Sequence, residues 1–136
     1  ASLSIGKYFR DLGAAYQIAN DMMNFRALDG ALDGGSDLAR RAPNAVVVTY
    51  REGLRTEKLM VFDNWYSSRS EVGFQSWRSD VLSSEAMLQT ALRMQDNLSH
   101  ASHLASKMPS ALSEAVLPVQ LLLQQVCLKA TTLTNS

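Results

Sequence analysis

Four polar residues on one stretch are spaced so that they could act together. Gln17, Asp21 and Asn24 recur at i, i+4 and i+7, and Asn20 stands one turn from both Gln17 and Asn24. A helix would carry all four along one flank. The remainder of the stretch is small or apolar: Leu12, Ala15, Tyr16, Ile18, Ala19, Met22, Met23 and Phe25. The expectation is a helix buried nearly all round, with one polar strip. Buried amides and carboxylates need partners. Side chains, water, or a metal ion with its ligand would each serve. A second constellation, Asp96, His100 and His103, has the same i, i+4, i+7 spacing and a donor set that suits zinc. An exposed face of an amphipathic helix is the simpler explanation, since the sequence offers no fourth ligand.

The elements that must position these groups read as helices. Apolar residues from Leu3 to about Leu28 keep helical spacing, with Leu3, Tyr8, Phe9, Leu12, Ala15, Tyr16, Ala19, Met22 and Met23 forming a broad face. Gly6 and Gly13 each cost about 1 kcal/mol of helix propensity relative to Ala, and their small size would let a neighbouring helix approach. Asp29 to Ser36, with three glycines, is the clearest loop. Ser36 or Asp37 then caps a short segment, Leu38 to Ala42. Pro43 suits the first turn of a helix from Asn44 to about Leu54. Ala45 to Tyr50 is β-branched, but no second strand pattern exists to pair with it, so it is taken as a buried helix. Glu57 to Tyr66 forms a further helix, Ser67 to Ser70 a turn, and Val72 to Trp77 carries the weakest pattern. A long amphipathic helix runs from Asp80 to Met108. Pro109 breaks it, and Ser110 caps a last leucine-rich helix that Pro118 should kink or divide. The class is all-α, a single domain with six or so helices.

Bulk properties exclude several functions. The 136 residues are enough for one real core, with 46% apolar and 19% charged residues. Thirteen basic and thirteen acidic residues balance to zero, which argues against nucleic acid, since phosphate binding needs a basic excess. Cys127 is alone, so no internal disulfide is expected; a reducing, cytoplasmic compartment is preferred and the thiol reads as an apolar filler. No apolar run approaches a membrane span, and no signal pattern opens the chain. The missing initiator Met suggests either a chain cut open upstream or processing of the N-terminus. No nucleophile motif, phosphate-binding glycine loop or paired cysteine spacing is present.

The stretch Leu12-Gly13-Ala14-Ala15-Tyr16-Gln17-Ile18-Ala19-Asn20-Asp21-Met22-Met23-Asn24 resembles the second aspartate-rich motif of the trans-isoprenyl diphosphate synthases, roughly Leu-Gly-x-x-Phe-Gln-x-x-Asp-Asp-x-x-Asp. Gly35-Ser36-Asp37-Leu38, Arg40-Arg41 and Ala45-Val46-Val47 continue the likeness at about the family's distances. The resemblance implies part of the isoprenoid synthase fold and a prenyltransferase-type activity that condenses an allylic diphosphate with isopentenyl diphosphate. It places magnesium ligands on Asn20, Asp21 and Asn24 and substrate contacts on Gln17 and Asp37. Two of the three motif carboxylates are amides here. The family's first Asp-Asp-x-x-Asp motif, its upstream Gly-Lys-x-x-Arg site and the lysine of the loop before Ser-Asp-Leu have no counterpart, so the likeness covers only the C-terminal half of such an enzyme. Magnesium prefers hard oxygen ligands. Opposite unit charges about 4 Å apart attract by ~4 kcal/mol at an effective dielectric of ~20, so an amide for a carboxylate weakens the site. Arg40 and Arg41 could reach a phosphate or lie on a solvated face.

Three readings follow: a prenyl synthase half active when completed, a catalytically silent subunit of such a synthase, and an unrelated helical interaction domain. Prenyl diphosphates are the expected ligands. Homo- or hetero-oligomers are expected too, because the first helix would expose apolar surface in isolation.

Overall fold

The computed structural model describes residues 2–26 and 36–134, with side chains at 5–26 and 36–131. The expected loop from Asp29 to Ser36 lies outside the described residues except for its last position. The described chain is all-α, with no strand among those residues. Its helices are α1 (Ser2–Phe25), α2 (Ser36–Ala39), α3 (Ala45–Glu52), α4 (Thr56–Ser68), α5 (Phe74–Ser83), α6 (Ala86–Ser106) and α7 (Ser110–Thr134). They divide into two compact units. Unit 1 comprises Ala1–Ala19 and Ala91–Ser136, and unit 2 comprises Asn20–Thr90.

In unit 1, Tyr8, Leu12, Ala15 and Ala19 of α1 are buried at steps of four and three, as are Ala91, Met94, Leu98 and Ala101 of α6. The buried stripe of α1 is narrower than its sequence suggests: Phe9 and Tyr16 are 45% and 41% exposed. The helix is therefore amphipathic, and not buried nearly all round. Gly6 and Gly13 are exposed, and a Cβ on either would meet nothing within 4 Å, so neither serves a close helix approach. The Tyr8 hydroxyl donates to Gln120 Oε1 at 2.8 Å. Burial also pushes the Tyr8 phenol above its ordinary pKa. Cys127 is fully buried beside the Ala15 carbonyl, Sγ to O 3.7 Å, and burial raises its thiol to about 11. At neutral pH it is a protonated apolar filler, as its sequence context suggests. Helix α7 runs unbroken through Pro118. Ser110–Thr131 of α7 is long and apolar enough to cross a membrane by length and composition, which amends the reading that no run approaches a span. One such helix does not establish a span.

Unit 2 is built around aromatic rings. Phe62 of α4, 1% exposed, has its ring centre 5.5 Å from Tyr50, 6.0 Å from Trp65, 5.7 Å from Tyr66 and 5.1 Å from Trp77. Trp77 lies on α5, the segment whose sequence pattern is weakest. Gly73 precedes α5 with φ 89°, a left-handed conformation that glycine adopts without strain. The single helix expected from Asp80 to Met108 is two helices. Ser84 makes the break: its Oγ accepts from Ala86 N at 3.2 Å and donates to Val81 O at 2.7 Å. No Gly or Pro marks the place.

Arg41 is the least expected part of unit 2. Its backbone is left-handed at φ 58°. All five guanidinium N–H groups are engaged: Nε donates to Tyr66 O at 2.9 Å, Nη1 to Leu38 O and Ala39 O, and Nη2 to Trp65 O and to Ser70 O at 2.8 Å. The guanidinium lies 3.9 Å from the centre of the Trp65 ring. Desolvation by burial is the main cause lowering its pKa. This residue ties α2 to the end of α4 and is no part of a solvated face; Arg40, by contrast, is exposed and paired to Asp37.

A second tie joins α3, α4 and α5. Tyr50 donates its hydroxyl to Asp80 Oδ2, which also takes Lys58 Nζ at 2.9 Å. Burial first, then the bond to Asp80 and its charge, push the Tyr50 phenol well above its ordinary value near 10. The Tyr50 bond first, then the Lys58 bond, hold Asp80 below the usual carboxylate value near 3.8. The carboxylate contributes stability above pH ~4 that is lost as pH falls through its depressed folded value. The phenol contributes stability below pH ~10 that is lost as pH rises through its raised one. Replacing Tyr50 by Phe should flatten both limbs of the profile of thermal midpoint against pH. An unchanged profile would show that the pair contributes nothing.

Candidate functional site

The cluster that gathers the expected site residues lies in unit 2, where α1 ends and α2 and α3 begin. Asp21 and Asn24 are 8% and 7% exposed on the last turns of α1. Asn20 is half-buried, and Gln17, in unit 1, is exposed. The i, i+4, i+7 flank thus splits in character: its N-terminal member meets solvent and its C-terminal members are buried.

Each buried member serves the start of a helix. Asn24 Oδ1 accepts from Asp37 N at 3.2 Å, while its Nδ2 donates to Ser36 Oγ at 2.7 Å. One amide thereby takes a backbone donor and a side chain at the start of α2. Asp21 Oδ2 accepts from Ala45 N at 2.8 Å, at the first residue of α3. Asn44 is the N-cap of α3, and its Oδ1 accepts from Val46 N at 2.8 Å. Two side chains therefore satisfy two of the N–H groups that a helix start leaves open. A carboxylate there also faces the positive end of the helix dipole. Pro43 accordingly precedes the cap instead of occupying the first turn.

Asn44 is the residue that sequence reading left out of the site. It is 2% exposed, and its Nδ2 donates to Asp21 O and to Asp37 Oδ2, both at 3.1 Å. Asp37 completes the cluster by accepting from Arg40 Nη2 at 3.0 Å on Oδ1. Asp21, Asn24 and Asp37 are therefore joined through Ser36 and Asn44. An Asn directly before a helix is a recognisable cap signal; that it also bridges two distant aspartates is not legible in it.

The donor chemistry of the cluster is oxygen only: two carboxylates and two amide carbonyls. That is the set magnesium accepts, so the residue types fit the ion. The oxygens Asp21 Oδ2, Asn24 Oδ1 and both Asp37 Oδ atoms already receive protein donors. An arriving cation would share or displace those bonds. Beside the cluster, a depression of about 460 Å³ is lined by Ala39, Arg40, Arg41, Glu71, Phe74 and Gln75. Only Arg40 of its two arginines has donors to offer a ligand, since the Arg41 fork is spent on carbonyls.

The Asp96, His100, His103 row does not converge. Asp96 and His103 are exposed, and His100 Nδ1 pairs with Asp11 Oδ2. Among the described residues no group of three or more His, Cys, Asp or Glu could hold a metal ion. A search of family models, of curated proteins and of solved structures found no match to this chain.

Proposed function

We propose that this chain handles prenyl diphosphates, as the counterpart of the second-aspartate half of a trans-isoprenyl diphosphate synthase. One observation carries the reading: Asp21, Asn24 and Asp37, which the resemblance makes metal and substrate residues, meet in one hydrogen-bonded cluster through Ser36 and Asn44. Bound magnesium would there neutralise charge building on a leaving pyrophosphate. The chain's own contribution is to hold Asp21 and Asp37 in register through Asn44 and to hold α2 on α1 through Asn24. Transfer to isopentenyl diphosphate requires carboxylates and basic clamps that these 136 residues do not contain.

The capping roles of Asp21 and Asn24 favour a second reading, a catalytically silent subunit of such a synthase. Titration calorimetry with magnesium and an allylic diphosphate tests both. The wild-type chain should bind weakly. The double variant Asn20→Asp, Asn24→Asp should bind at least tenfold more tightly, and only with magnesium. Asp at 24 can still accept from Asp37 N and from the Ser36 hydroxyl, so the fold should tolerate it. Binding by the double variant alone would favour the silent subunit. No heat from either protein would overturn both readings.

A further inference from the structure

The oxygens of the cluster differ in what it costs to free them. Asp21 Oδ2 and Asn24 Oδ1 hold backbone N–H groups at the starts of α3 and α2, and Asp37 Oδ2 holds the buried Asn44. Uncovering any of these leaves a donor without its partner. Asp37 Oδ1 is another case. Among the described residues its one donor is Arg40 Nη2 at 3.0 Å. The Arg40 side chain is 70% exposed and that of Asp37 only 16%. Water readily replaces a carboxylate at an exposed guanidinium, so this pair contributes little and opens easily. Arg40 also has somewhere to go. It lines the depression of about 460 Å³ together with Glu71, Phe74 and Gln75. Its Nε bond to Ser36 O is long, at 3.4 Å, and among the described residues its Nη1 is unengaged. The planar fork suits two oxygens of a phosphate group better than the single oxygen that it holds.

We propose that Arg40 is a latch on Asp37, opened by the diphosphate that Arg40 binds. While the latch is closed, the guanidinium covers Oδ1 and its charge opposes a cation there. A diphosphate in the depression takes the fork, and Oδ1 then opens with its negative charge uncompensated. Cation and diphosphate therefore bind together, and each binds poorly alone. By linkage, each raises the affinity for the other by the same factor. The latch rests on the prenyl diphosphate reading and regulates that same site.

Titration calorimetry of the full chain tests it, with potassium pyrophosphate in EDTA and, separately, with magnesium chloride. The proteins are wild type, Arg40→Gln, Asp37→Asn and the double variant. An Asn at 37 can still accept from Asn44 Nδ2, and Arg40 is exposed, so helix content should be unchanged in all four. A closed latch hides both of its halves, so removing one unmasks the other. Asp37→Asn should bind metal-free pyrophosphate about threefold more tightly than wild type, and Arg40→Gln should bind magnesium alone about threefold more tightly. A mere change of net charge would give gains that persist when the other half is already gone. With a latch they vanish: the double variant should bind pyrophosphate no better than Arg40→Gln, and magnesium no better than Asp37→Asn. Arg40→Lys, which keeps the pair, should bind magnesium as weakly as wild type. Gains of equal size in the second background would overturn the latch. So would single variants that match wild type, or pyrophosphate that gives no heat with any of the four proteins. None of these ligands carries a prenyl group. Prenyl diphosphates that bind no better than pyrophosphate would therefore sink the prenyl reading and leave the latch standing.

Discussion

Replacing Arg41 by Ala should cost about 3 kcal/mol or more of unfolding free energy, which makes it one of the most damaging single changes in unit 2. A hydrogen bond from a charged donor contributes about 1.5–3 kcal/mol, and the terms are not additive when one group makes several. Here one guanidinium serves five carbonyls from α2, α4 and the turn at Ser70. Its removal also uncovers the Trp65 ring face, 3.9 Å from the guanidinium carbon. Arg41→Lys should recover little, because an ammonium cannot present a planar fork to several carbonyls and stacks poorly on an indole. The backbone provides an internal control. At φ 58° an Ala is strained by roughly 1–2 kcal/mol where a Gly is not. Arg41→Gly should therefore be less destabilising than Arg41→Ala by about that amount in urea titrations. If Gly and Ala cost the same, the left-handed backbone is not a source of strain. If Lys matches Arg, the fork carries nothing.

How much of this was readable beforehand depends on the range of the interaction. Helix identity was: α1, α6 and α7 follow from apolar spacing, and α3 follows from the lack of any strand to pair with the β-branched run Ala45 to Tyr50. The buried character of Asp21 and Asn24 was readable too, because their neighbours are apolar at helical steps. Their destinations were not. Asp21 reaches a backbone N–H 24 positions on and Asn24 one 13 positions on, and nothing local in either residue encodes that. The same holds for Arg41, whose partners at Trp65, Tyr66 and Ser70 exist only once α4 has docked. The break at Ser84 failed for the opposite reason. Its signal is local, a serine that caps Ala86, but the apolar period runs through it without losing phase. The overestimated face of α1 has a third cause: Phe9 and Tyr16 sit at core spacing, yet the elements that fill unit 1 bury only the narrower stripe through Tyr8, Leu12, Ala15 and Ala19.

Phe62→Ala should cost about 3–5 kcal/mol, the usual range for deleting a buried ring, because the neighbours close the cavity only in part. Collapse is harder here than at most sites. Phe62 meets Tyr50 and Trp77 edge to face, at interplanar angles of 71° and 78°, and Trp65 and Tyr66 at shallower tilts. Tyr50 is tethered to Asp80, Trp65 Nε1 donates to Val72 O at 2.7 Å, and the Trp65 ring carries Arg41. Two of the four walls, Tyr50 and Trp65, are thus fixed by polar bonds elsewhere and cannot move inward without breaking them. Phe62→Leu separates ring geometry from volume. It keeps most of the apolar contact but loses edge-to-face pairs that contribute about 0.5–1.5 kcal/mol beyond burial, so its cost should fall near 1–2 kcal/mol. Near-ultraviolet circular dichroism of Trp65 and Trp77 should weaken in both variants while the helical signal persists, because the rings lose a fixed neighbour before the backbone loses its bonds. A Phe62→Ala protein within 1 kcal/mol of wild type would mean that the walls do close, and that the polar tethers are looser than their distances imply.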